Sequence, residues 1–155
     1  MNIVENKQLF IEQATVLVYG EENLVTNLSN LSALYKEYLP NTNWVGFYLL
    51  DEKNNNLVLG PFQGKVACTR IPFNKGVCGH CYTTHETVYV EDVHKFPGHI
   101  ACDSATNSEL VVPIIQNDKV VALLDIDSIE FDRFTKEEVE TFTEVTKIVF
   151  EKINF

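Results

Sequence analysis

Past Pro40 the hydrophobic period of this chain changes, and that change narrows the folds open to it more than any other feature. Upstream, residues 5–18 place Leu9, Phe10, Ala14, Val16 and Leu17 at roughly helical spacing. Residues 22–38 repeat the pattern with Leu24, Val25, Leu28, Leu31, Leu34, Tyr35 and Tyr38. Gly20 stops the first helix and Pro40 ends the second. Downstream, residues 44–50 are β-branched and aromatic and read as a strand. The polar turn 51–56 and the returning strand 57–59 follow it. Residues 65–71 suit a third strand. Residues 72–81 carry Gly76 and Gly79 and read as a loop leading into a short helix near 80–85, and 87–90 is a short strand. Residues 91–107 show no period and are expected to be a long loop, the kind of segment that in a compact domain serves function or is disordered. Residues 109–115 and 120–126 form a hairpin about Asn117-Asp118. Thr135 with Glu138 makes a capping box that opens a last helix to about residue 154. Strands joined by hairpins, without regular helices between them, predict an α+β fold: a central antiparallel sheet flanked by N- and C-terminal helices on one side. Residues 1–155 are expected to form a single domain, a length that supports one real core.

The formal net charge of −10 argues against nucleic acid and against an anionic membrane surface, both of which require clustered Lys and Arg. A cationic or zwitterionic small ligand is compatible with it. The N-terminus shows no signal pattern, and no apolar run approaches the ~18 residues of a spanning helix, so a cytoplasmic protein is expected. Thiols there are normally reduced, which points the four cysteines toward packing, metal binding or redox chemistry rather than structural disulfides.

All four cysteines (68, 78, 81, 102) and all four histidines (80, 85, 94, 99) fall between Gly64 and Asp127. Three chemistries compete for them. Cys78, Cys81, His94 and His99 match the spacing of a Cys2His2 zinc site. Pro97-Gly98 between the histidines opposes it, as does a chain long enough to need no metal staple. Thiol redox chemistry needs one thiolate to attack and a second thiol to reach it. Cys102 lies in the long loop beside Asp103, Cys78 in a Gly-Val-Cys-Gly loop whose small residues admit another backbone, and Cys68 between Lys65 and Arg70, whose charges favour thiolate. The bland alternative for each is a small buried hydrophobe. Third, Asp125 and Asp127 share one face of a strand, and Glu109 opens the neighbouring strand of the same hairpin. Three converging carboxyls suit an ammonium-bearing ligand, or a carboxylic acid held protonated as a proton donor, and the alternative is a solvated strand end. Trp44 and Tyr48, four apart on a strand, share one face and could wall a pocket or fill a core.

Several motifs in order resemble one family. They are Gly60-Pro-Phe-Gln-Gly-Lys65, Ala67-Cys-Thr-Arg-Ile71, Gly76-Val-Cys-Gly79, Glu91-Asp-Val-His94, Pro97-Gly-His-Ile-Ala-Cys-Asp103, Asn107-Ser-Glu109 and Leu124-Asp-Ile-Asp-Ser128, with Asn43-Trp-Val-Gly-Phe-Tyr48 before them. Together they resemble the free methionine-(R)-sulfoxide reductases, small GAF-domain enzymes. The resemblance implies a GAF fold, often dimeric, and reduction of free methionine-(R)-sulfoxide through a cysteine sulfenic acid and an intramolecular disulfide, recycled by thioredoxin. It places the catalytic cysteine at Cys102 and the other redox cysteines at Cys78 and Cys68. It places the substrate carboxylates at Glu109, Asp125 and Asp127, with Asp127 also a candidate proton donor, and pocket aromatics at Trp44 and Tyr48. No cofactor and no metal are implied. The chain departs from the family pattern at His80-Cys81, so Cys81 inherits no role. The runner-up is a non-catalytic GAF sensor binding a small molecule in the same cavity. A chain of one domain would leave such a sensor nothing to regulate.

Overall fold

A computed structural model describes all residues, Met1–Phe155. Its centre is a six-stranded antiparallel sheet in the order β3-β2-β1-β6-β5-β4. The strands are β1 (Trp44–Asp51), β2 (Asn56–Gly64), β3 (Arg70–Pro72), β4 (Val88–Val90), β5 (Ser108–Gln116) and β6 (Lys119–Ser128). Helices α1 (Lys7–Val18), α2 (Leu24–Glu37) and α4 (Lys136–Phe150) contribute to one large core, while α3 (Gly76–Thr84) packs into the other.

The two faces follow from the two-residue period of the strands. Val45 and Phe47 of β1, Leu110, Val112 and Ile114 of β5, and Leu124 and Ile126 of β6 enter the larger core with α1, α2 and α4. Tyr35 and Phe142 from α2 and α4 are fully buried there, and Tyr35 Oη lies 2.7 Å from Thr146 Oγ1, which satisfies its hydroxyl. The residues that alternate with these, Trp44, Tyr48, Val111 and Leu123, turn to the second face and pack with Val77, Cys78 and Cys81 of α3. The expectation of helices on one side is therefore corrected: α3 roofs the opposite face, over the centre of the sheet.

Local sequence sets most element ends. Asn23 Oδ1 accepts from the Thr26 N–H at 3.0 Å and caps α2. Thr135 Oγ1 accepts from Glu138 N–H while Glu138 Oε1 accepts from Thr135 N–H, both at 3.1 Å, which is the capping box read from the sequence. Asn117 and Asp118 have φ of 52° and 63°, the left-handed pair that a two-residue hairpin turn requires. Strand β2 is longer than expected, and the third strand is only Arg70–Pro72. Residues 91–107 are the expected irregular segment apart from a single 3-10 turn, Val93–Lys95. The larger correction lies at 76–79: the short helix expected near 80–85 begins earlier, at Gly76, and runs nine residues to Thr84, so Cys78 is a buried helical residue rather than a loop residue.

Candidate active site

The site lies between the second face of the sheet and α3, and antiparallel register assembles its floor. Glu109 of β5 pairs with Asp127 of β6, and Asp127 pairs on its other side with Trp44 of β1. One step along the same face, Asp125 sits between Val111 and Gly46. The three carboxyls and the aromatic wall are therefore placed by neighbouring strands. No flexible segment has to order to bring them together.

The wall is three rings deep. Trp44 stacks on Phe62 with centroids 5.1 Å apart and on Tyr48 at 5.9 Å. The indole Nε1 donates to Lys65 O at 3.2 Å, and Tyr48 Oη donates to Cys68 O at 2.8 Å, so both polar tips are satisfied. Gly46 makes room for this stack, since a Cβ there would meet Phe62 Cβ at 2.3 Å and Trp44 Cη2 at 2.7 Å. Gly79 plays the same part in α3, where Phe73 O would lie 2.9 Å from an added Cβ. The close backbone approach expected around Cys78 is thus present, made by a helix rather than a loop.

The floor is electrostatically strained. Glu109 and Asp125 are 7% and 5% exposed, and Asp127 is packed beside them. Burial is the largest influence on each carboxyl and mutual repulsion the next, and together they push all three pKa values well above the ordinary carboxylate range. The carboxyls hydrogen-bond one another, while Asp125 Oδ1 and Asp127 Oδ1 are buried without a partner. A solvated strand end is thereby ruled out. Cys78 Sγ lies within 4.8 Å of an Asp125 carboxyl oxygen, and burial followed by the adjacent carboxyls pushes its thiol pKa well up. His99 Nε2 lies 3.7 Å from Glu109 Oε1. Burial lowers the imidazole pKa while that of Glu109 rises, so both shifts oppose an ion pair here.

Cys102 and Cys68 are joined in a disulfide, with Cα atoms 5.4 Å apart, linking the loop after β2 to the 96–107 loop. Both are half-buried, and Cys102 lines the pocket beside Ile100, Asp103 and Thr106. Beside this bridge lies a partly open cavity of about 30 Å³. Asn43, just before β1, secures the Cys102 loop: its Nδ2 donates to Asp103 Oδ2 at 3.0 Å and to Thr106 Oγ1 at 3.1 Å. Asp103 also accepts from Ala105 N–H at 2.9 Å. That bond, then the Asn43 amide, keeps its carboxyl below the ordinary range.

All the expected residues, Cys102, Cys78, Glu109, Asp125, Asp127, Trp44 and Tyr48, line one cavity, and Cys68 is bonded to Cys102. The Cys2His2 set is not brought together: Cys81 Sγ faces Val111 O at 3.8 Å, and His94 Nε2 lies 2.9 Å from Asn107 Oδ1. Sequence reasoning assigned no role to Asn43, Phe62 or Thr106, and it placed His99 only in the Cys2His2 set. The one available signal was Asn43 at the head of a strand whose next residue is the pocket tryptophan.

The GAF domain profile matches residues 31–149. The chain is 51% identical over 122 residues to the free methionine-R-sulfoxide reductase of Escherichia coli (strain K12), covering 79% of this chain and 73% of that protein. The chain belongs to the free methionine-R-sulfoxide reductase family. It is also 46% identical over 154 residues to the Saccharomyces cerevisiae free methionine-R-sulfoxide reductase, with 93% and 86% covered. Among solved structures, the free methionine-R-sulfoxide reductase from Neisseria meningitidis in complex with its substrate superposes with a TM-score of 0.91. The identity is 39%, over 98% of this chain and 90% of that one. For a free methionine-R-sulfoxide reductase, a half-buried disulfide beside a pocket of buried carboxyls with raised pKa values is a coherent redox site. No helix of this family member is long and apolar enough to cross a membrane.

Proposed function

We propose that this protein reduces free methionine-(R)-sulfoxide to methionine, with Cys102 as nucleophile and Cys68 as resolving thiol. The observation that carries the reading is the Cys68–Cys102 disulfide beside a pocket floored by Glu109, Asp125 and Asp127. In the reduced protein the Cys102 thiolate attacks the sulfoxide sulfur. The S–O bond breaks, the oxygen ends on Cys102 as sulfenic acid, and methionine leaves. The departing oxygen needs a proton, and a carboxyl whose pKa is raised by burial is suited to hold and deliver one. Asp127 is our choice for this donor. Cys68 then displaces water from the sulfenic acid and closes the disulfide. An external dithiol, proposed to be thioredoxin, reopens it by exchange.

The unpartnered oxygens of Asp125 and Asp127 suit the substrate α-ammonium, which would offset the repulsion of an ionised carboxyl. Trp44, Tyr48 and Phe62 offer a wall for its thioether end. A pocket that recognises an ammonium favours the free amino acid over a residue within a chain. Cys78 is assigned no part in resolution, because burial keeps its thiol protonated and an unreactive thiol is a poor partner for sulfenic acid. We further propose a cytoplasmic single domain acting as a homodimer.

The test is methionine release from separate free R and S sulfoxides with dithiothreitol. Release from the R form alone, lost in Cys102→Ser, is the expected result. Release retained in Cys102→Ser would remove the nucleophile assignment, and binding without turnover would return the chain to the sensor reading.

A further inference from the structure

Cys78 takes no part in the steps above, yet it is the best-placed soft ligand in the molecule. Its Sγ and one oxygen each from Glu109 and Asp125 lie within 4.8 Å of one another, all on buried residues. The three come from α3, β5 and β6, elements locked into the second core. A tetrahedral zinc ion with bonds of about 2.0–2.3 Å needs ligand atoms roughly 3.3–3.6 Å apart, so small side-chain rotations would close the set. Independently, Asp125 is 5% exposed and its Oδ1 has no hydrogen-bond partner. The adjoining cavity of about 30 Å³ admits a single ion. A thiol among the donors selects a borderline-soft d10 cation over magnesium or calcium, which prefer all-oxygen shells. His99 Nε2, 3.7 Å from Glu109 Oε1, stands where it can orient that carboxylate from outside the ligand set.

We propose that Cys78, Glu109 and Asp125 form a binding site for a divalent zinc-type cation, and that the bound ion blocks the substrate pocket. Binding replaces the thiol proton by an S–Zn bond and releases that proton, with no change of oxidation state. The fourth tetrahedral position stays open to water, as in zinc sites with three protein ligands. The blocking consequence rests on the proposed reading of the pocket, whereas ion binding itself does not.

The experiment uses the full chain in its disulfide form, in which Cys68 and Cys102 cannot ligate. Chelator-buffered zinc is titrated by equilibrium dialysis, and cobalt(II) is followed by its thiolate charge-transfer absorption. One ion per chain is expected, with affinity weakened more than about tenfold and the cobalt band lost in Cys78→Ser. Cys81→Ala should leave both unchanged. No bound ion, or the same affinity and spectrum in Cys78→Ser, would overturn the site. Should Cys78→Ser fail to fold, Asp125→Asn must weaken zinc binding in its place, and unchanged binding there overturns the site equally. In the reduced enzyme zinc should raise the KM for methionine-(R)-sulfoxide, and a KM indifferent to a bound ion would overturn the blocking. Absence of turnover in zinc-free protein would instead strike the reductase reading and leave the ion titration standing.

Discussion

Asn43→Ala tests whether the Cys102 loop must be held for catalysis. The substitution removes two hydrogen bonds that cross from the head of β1 to the loop, Nδ2 to Asp103 Oδ2 at 3.0 Å and Nδ2 to Thr106 Oγ1 at 3.1 Å. The Asp103 bond has a carboxylate acceptor, but Asp103 is partly open to solvent, which screens it. We therefore take about 1 kcal/mol for each bond and a total near 2 kcal/mol. If that free energy keeps Cys102 in its attacking position, kcat/KM should fall about 30-fold, at 1.36 kcal/mol per factor of ten. The strand itself is secured independently, because the Asn43 backbone N–H donates to Asp127 O at 2.9 Å. The fold should persist, and the loss should appear in the loop. The assay is single-turnover methionine release by pre-reduced protein, paired with amide hydrogen exchange of residues 99–107. A rate within twofold of wild type, with unchanged exchange, would refute the idea that this clamp positions the nucleophile.

Other expectations follow from the same geometry. Cys68→Ser should release about one methionine per chain and then stall, read as a burst without steady turnover, because the sulfenic acid lacks its resolving thiol. Glu109, Asp125 and Asp127 all have folded pKa values above their unfolded ones, so the stability they contribute is complete below the ordinary carboxylate range and is lost as pH rises through the elevated folded values. The melting temperature of ligand-free protein should decline across that window, and Asp125→Asn should flatten the decline while weakening substrate. Gly46→Ala should destabilise by about 1–3 kcal/mol and raise KM, because its Cβ would collide with Phe62 Cβ at 2.3 Å and displace the indole. An unchanged denaturation midpoint would show that the stack can shift at no cost.

Period alone makes much of this molecule legible. The stripes of α1 and α2, the strand period of β1, the Asn117-Asp118 hairpin and the Thr135–Glu138 box all involve residues close in sequence, where local sterics and hydrogen bonding decide. The convergence of Glu109 with Asp125 and Asp127 is only partly of this class: the two-residue turn alone would set Glu109 opposite Ile126, and an irregularity between Ile114 and Ile115 shifts the register by one residue to Asp127. Only the second half of helix α3 was legible. Gly76 and Gly79 disfavour a helix by intrinsic propensity. Packing reverses that preference, because the missing Cβ of Gly79 lets the helix settle against Phe73 O.

The sequence by itself determined an α+β chain with a thiol-rich, carboxyl-bearing segment. Tertiary structure alone decided which thiols meet and which carboxyls are buried together. Cys68 and Cys102 stand 34 residues apart, and they meet because the sheet brings two loops to one end of the pocket. Cys78, closer in sequence to Cys68, is instead turned inward by α3 onto Asp125. The carboxyl pKa values rise only when strands and roof exclude water, because burial and mutual repulsion depend on distances and packing that no single residue specifies.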